Sequence, residues 1–159
     1  MIEATLCFVC DGDEVLLIEK RRGLGNGWYN GPGGKLEAGE TPVECAVREV
    51  SEEVGLEIPQ SALEKAGLLT FTLDDEVHTQ CHVFRTETYT GEPRESPEAT
   101  PEWISIDDVP YDQMWDDDHL WLPHVLEGER VRGIFAFEGG PPLDEAAFVA
   151  YDLETGVDI

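Results

Sequence analysis

One helix constrains this chain more than any other feature. Thr41-Pro42-Val43-Glu44 puts a hydroxyl at the N-cap position, proline at the first helical position and a glutamate at the third. That is a capping box, and Gly55 supplies the matching stop. Between them Val43, Val47, Val50 and Val54 recur at steps of four, three and four, which predicts one apolar stripe. Away from it Glu49, Glu52 and Glu53 share a face, and Glu40 precedes the helix. Like charges so spaced destabilise a helix by a few tenths of a kcal/mol per pair. A solvated acid face and a cation-binding face are both open from the helix alone.

The residues leading into the helix favour the second reading. Gly23, Gly25, Gly27, Gly31, Gly33 and Gly34 fall within residues 23–34, with Leu24, Trp28 and Tyr29 interleaved. This predicts a packed loop rather than a linker. It is not a P-loop, because Gly34-Lys35 is followed by Leu36 and not by Ser or Thr. A glycine loop opening onto clustered glutamates suits a hard divalent cation, which takes carboxylate oxygens, water and substrate phosphate.

The rest of the chain reads as one α/β domain over residues 1–159. Apolar runs at 4–10 and 14–20, joined by Asp11-Gly12-Asp13, predict a tight hairpin. Further strands are expected at 67–73, 77–87, 102–106, 130–137 and 146–153, with a turn at Gly139-Gly140-Pro141-Pro142. A second helix is expected near 118–127, with Asp116 or Asp117 as its cap. His78 and His82 fall in an expected strand without partners at a metal-site spacing, and read as packing or surface residues.

Charge limits the partners. Thirty-five Asp and Glu against ten Lys and Arg leave a net charge of −25, and the only lysines are Lys20, Lys35 and Lys65. No basic face is available to neutralise a run of nucleic-acid phosphates or to dock on an anionic membrane. Such a surface repels itself until salt screens it; at about 1 M the Debye length is about 3 Å. The composition is therefore halophile-like. No apolar run is long enough to cross a membrane and no basic leader precedes one. Cys7, Cys10, Cys45 and Cys81 are scattered; Cys7 and Cys10 point to opposite faces of a strand. Reduced cysteines in a cytoplasmic protein are expected. The oligomeric state is not determined by the sequence, and a monomer is compatible with it.

The residues from Gly34 to Leu56 resemble the Nudix signature. Gly34, Glu40, Arg48, Glu49, Val50, Glu52, Glu53, Gly55 and Leu56 meet all nine constrained positions in 23 residues. The resemblance implies the Nudix fold, an α/β/α sandwich around a mixed β-sheet. It also implies Mg²⁺- or Mn²⁺-dependent cleavage of a nucleoside diphosphate linked to another moiety. By position, Gly34, Glu49, Glu52 and Glu53 resemble the metal-binding residues, and Arg48 the residue that orients the carboxylates. Glu40 resembles a supporting group.

Outside the signature, residues 27–35, 95–98, 101–103, 114–118 and 133–137 resemble the branch of the family that removes 8-oxo-dGTP, the animal MutT homologues. The resemblance implies hydrolysis of 8-oxo-dGTP to 8-oxo-dGMP and pyrophosphate. Asn30, Trp115, Asp117 and Asp118 resemble its purine-pocket residues, and Thr5 and Lys20 fall at further pocket positions. Glu98 resembles a carboxylate near the metal that acts as, or assists, the general base. Leu24, Leu73 and Thr79 stand at wall positions and depart from the branch in size or polarity. The competing expectations are a Nudix hydrolase of dinucleoside polyphosphates or ADP-ribose, and a nucleotide-binding regulator without turnover. Retention of every acid favours an enzyme.

Overall fold

The computed structural model describes residues 1–159. Its hub is the first strand, β1 (Ile2–Asp11). One edge of β1 runs parallel to β6 (Glu76–Thr86). The other edge is divided: residues 4–6 pair with β4 (Gly33–Lys35), and residues 10–11 pair with β2 (Glu14–Lys20). Beyond β2 lie β3 (Tyr29–Asn30) and β7 (Ala99–Ser105); beyond β6 come β5 (Glu64–Leu73), β8 (Val131–Glu138) and β9 (Ala147–Thr155). The β5–β8 pair is also parallel, so the nine-stranded sheet is mixed.

Helix α1 (Pro42–Val54) covers one face and α2 (Asp118–Leu126) the other. The two-residue period of β1 feeds both layers. Phe8 and Cys10 join the α2-side core with Trp121, Leu122 and Val125. Cys7 and Val9 join the α1-side core with Ala46, Val50 and Val54. Cys7 and Cys10 therefore face opposite ways, and all four cysteines are free and buried.

The hairpin turns at Gly12, whose φ of 60° suits glycine in a two-residue turn. Helix α1 has both hydrogen bonds of its capping box, and Gly55 closes it at φ 78°. Three expectations need correction. The buried stripe of α1 is Ala46, Val50 and Val54 with Val43 at its rim, while Val47 stays half-buried outside the core. The sheet lies under the Ala46 side of the helix, so exact four-residue steps replace the expected mixed steps. Second, the glycine loop contains two short strands, β3 and β4, where only a loop is expected. Third, α2 has no side-chain cap: Asp117 keeps a helical backbone and turns its carboxylate inward.

Candidate active site

Helix α1 delivers its glutamates to the edge of the sheet where β4 meets β1. Glu53 is 3% exposed, not solvated, and its Oε1 accepts the Gly33 N–H at 2.8 Å. Gly33 has no room for a side chain, since a Cβ there would collide with the Thr5 carbonyl. Gly34 is equally constrained: a Cβ would stand 2.6 Å from the Glu49 carboxylate. The signature glycine and its neighbour thus let two carboxylates approach the backbone. Beneath them, the Gly34 carbonyl accepts from Thr5 Oγ1 at 3.5 Å and from Cys45 Sγ at 3.6 Å.

Glu98, on the segment entering β7, completes the group. One carboxylate oxygen from each of Glu49, Glu53 and Glu98 lies within 4.8 Å of the others. Glu52 lies outside this trio; its carboxylate is more than half exposed and accepts from Arg48 at 3.2 Å. Arg48 is the organiser. Its Nε and Nη2 grip both oxygens of Glu40 at 2.7 and 2.9 Å, and its Nη1 reaches Glu49 at 2.8 Å. The Glu40 carboxyl is consequently held down at about 2, by Arg48 first and by the Glu37 N–H second.

The trio stands in the opposite regime. Burial pushes Glu53 up to about 8, and the charges of Glu49 and Glu98 add to the shift. The Gly33 N–H and Lys20 oppose that rise without cancelling it. Burial also raises Glu49, despite Arg48. Three convergent carboxylates, two of them reluctant to ionise together, fit a divalent cation, whose charge removes that reluctance.

From this corner a cavity of about 410 Å³ extends across the sheet. Thr5, Lys20, Gly34 and Glu53 line one part, and Asn30, Trp115, Asp117 and Asp118 line it elsewhere. Asn30 Oδ1 accepts the Gly31 N–H at 2.8 Å, leaving its amide group for a ligand. Asp117 is fully buried and Asp118 is 3% exposed. Asp117 Oδ2 accepts from Trp121 Nε1 at 2.8 Å, but Asp117 Oδ1 and Asp118 Oδ2 have no partner. Burial raises both carboxyls, and the Asp117 charge raises Asp118 further. The pair holds a proton more readily than two surface aspartates do.

Leu24 and Thr79 line the cavity, whereas Leu73 packs against Gly140 and the α2-side core. His78 also reaches the cavity and sits 2.7 Å from Thr79 Oγ1, while His82 pairs with Glu3 at 3.3 Å; neither joins the carboxylate trio. Two contributions to the site are not legible in the sequence. Gly33 holds Glu53 through its amide, and Pro141, Pro142 and Leu143 approach the cavity from a loop remote in sequence.

A capped helix and the segment entering β7 thus gather a carboxylate cluster at the edge of the sheet, beside an open cavity. A family model described as NUDIX domain matches residues 2–125, and the chain belongs to the Nudix family, hydrolases of phosphoric anhydride bonds. It is 44% identical to the oxidized purine nucleoside triphosphate hydrolase of Danio rerio over 136 residues, covering 85% of this chain and 86% of that one. The protein of the same name from Mus musculus is 35% identical over 150 residues, covering 94% and 92%. The crystal structure of a mutator MutT protein from Bacillus halodurans superposes with a TM-score of 0.82 at 32% identity, covering 97% of this chain and 98% of that one.

Proposed function

We propose that this chain, acting as one domain, is a Mg²⁺-dependent nucleoside triphosphate pyrophosphohydrolase that sanitises oxidised purine nucleotides. Its substrate is 8-oxo-dGTP and its products are 8-oxo-dGMP and pyrophosphate. The observation that carries this reading is the meeting of two buried acidic groups on one cavity. Glu53 of the carboxylate trio lines it, and Asp117 and Asp118 line it, each with one oxygen that lacks a partner. The names of the fish and mouse relatives support the same substrate class.

Glu49, Glu53 and Glu98 are the residues that would hold the ion; Gly34 and Glu52 are the further ligands that the family signature implies. When held there, Mg²⁺ or Mn²⁺ would lower the pKa of a water and offset charge developing on the phosphoryl oxygens. Arg48 keeps Glu49 oriented while Glu40 stays ionised to hold Arg48. Glu53 or Glu98 would take the proton from the attacking water, both standing in the carboxylate trio. Lys20, facing the cavity, offers a positive charge to the triphosphate. At the base, one carboxyl of the Asp117–Asp118 pair donates to a purine carbonyl and the ionised partner accepts from a ring N–H. Asn30 and the Trp115 face supply further polar and apolar contacts.

The acidic surface points to a salt-rich cytoplasm, and the assay belongs there. A panel of nucleoside triphosphates, dinucleoside polyphosphates and ADP-ribose with Mg²⁺ at high KCl tests the reading. Release of pyrophosphate and monophosphate, fastest from 8-oxo-dGTP, is expected. Preference for ADP-ribose or a dinucleoside polyphosphate, or no turnover of any nucleotide, overturns it.

A further inference from the structure

Two loops that are far apart in sequence meet over the base pocket. The Gly25 N–H donates to Asp144 Oδ2 at 2.9 Å, across 119 residues. Gly25 is buried and has a φ of 78°. A Cβ there would lie 3.1 Å from Trp115 Nε1 and 3.5 Å from two carbons of the same ring. Any side chain at 25 would therefore push on the Trp115 edge as well as strain the backbone.

Each loop has its own anchor. Leu143 is 4% exposed and belongs to the α2-side core, and Pro141, Pro142 and Leu143 line the cavity. On the other side Leu24 lines the cavity while remaining 40% exposed, so its own packing does not fix it. Trp115 is braced edge-on by Trp28 at 5.0 Å and by Phe137 at 6.2 Å between ring centroids. The glycine loop is held by bonds within itself, Asn26 N–H to the Gly23 carbonyl and Trp28 N–H to the Gly25 carbonyl, and at its base by two backbone bonds with Lys20 at the end of β2. The Asp144 carboxylate is the link from this loop to the opposite rim.

We infer that Asp144 is a positioning residue for substrate specificity: by clasping Gly25 it holds Leu24 over the pocket as a wall against the purine ring. The inference rests on the proposed purine pocket and adds a determinant of its closure. A clasp that preorganises a wall affects binding of the base rather than bond cleavage at the far carboxylates.

Asp144→Ala and Asp144→Asn, read beside wild type, test it. Asparagine keeps an acceptor oxygen and alanine removes it. For Asp144→Ala we expect KM for 8-oxo-dGTP to rise about tenfold, the scale of a lost hydrogen bond to a charged acceptor, with kcat within about twofold. Asp144→Asn restores most of the affinity. In hydrogen exchange the Gly25 amide opens faster in the alanine variant only. Unchanged KM in Asp144→Ala, equal losses in both variants, or a fall in kcat and Tm with KM constant would overturn the clasp. If wild type turns over no purine triphosphate, the functional reading fails. The Gly25 exchange rate still decides the contact, and an unaltered rate in Asp144→Ala overturns it too.

Discussion

Helices α1 and α2 both bring buried carboxylates to one cavity, and they stabilise them differently. Around α1 the acids have protein partners: Arg48 binds Glu49 and, before the helix, Glu40, and the Gly33 N–H meets Glu53. On α2 the acids are left short: Asp117 has one bond, from Trp121, and each aspartate has an oxygen without a partner. The α1 group converges three carboxylates, a geometry that a cation relieves. The α2 pair is enclosed and adjacent, a geometry that a proton relieves. What surrounds a buried acid thus decides whether a cation or a proton best relieves it.

The largest expected effect breaks the α1 side alone. Glu53→Gln should lower kcat by roughly 10²-fold or more, because a ligand or base is lost without changing shape. Steady-state kinetics on folded protein check it; near-normal turnover would remove Glu53 from the machinery. Its burial makes the isosteric glutamine the proper variant.

On the α2 side, Asp118→Asn or Asp117→Asn should change the kcat/KM ratio of 8-oxo-dGTP over dGTP by about tenfold, with pyrophosphate still the product. A site built to hydrogen-bond a base rejects a mismatched one because its polar groups are left unpaired. A competition assay reads this, and an unchanged ratio in both variants would make the pair structural only.

A third measurement sharpens the contrast through pH. In metal-free protein, folded Glu53 binds its proton up to about pH 8, whereas an unfolded glutamate releases it near 4.5. Its contribution is fully present below about pH 4.5 and is lost as pH rises through about 8. The Tm difference between wild type and Glu53→Gln in chelator should therefore fall between pH 5 and 9, and Mg²⁺ at pH 8 should raise wild type selectively.

Salt acts on the exposed acids that neither site uses. Raising KCl from about 0.1 to about 2 M should increase Tm as repulsion from the net charge of −25 is screened. The base-selectivity ratio should hold, since the α2 pair is buried. A flat or falling Tm would refute the halophile reading. The smallest effect is at the α1 cap: Thr41→Ala should cost about 1 kcal/mol in denaturant unfolding with catalysis per folded molecule unchanged. No matching cap exists on α2 to remove.

Legibility in the sequence follows the same divide. Helix α1 was readable because a cap, a stop and a carboxylate face are local patterns. The strands were readable to within a few residues because alternation is local too, although β3 and β4 were hidden by glycines that mask it. The two faces of β1 followed from its period and set Cys7 and Cys10 apart. The cap expected at Asp117 failed because an acid before a helix looks the same whether it turns to the backbone or to a tryptophan one turn along.

By itself, then, the sequence determined the α/β class, the capped helix, the acid-rich surface and the family, all written in residues close together. Only the tertiary structure decided which acids meet. It put Glu98 with Glu49 and Glu53 and left Glu52 in solvent. It buried Asp117 and Asp118 with oxygens unpaired, and tied Gly25 to Asp144. Spacing along a helix sets the direction of a side chain, but burial and partners depend on strands and loops far away in the chain. Those surroundings, through desolvation and neighbouring charge, give a carboxylate its chemistry.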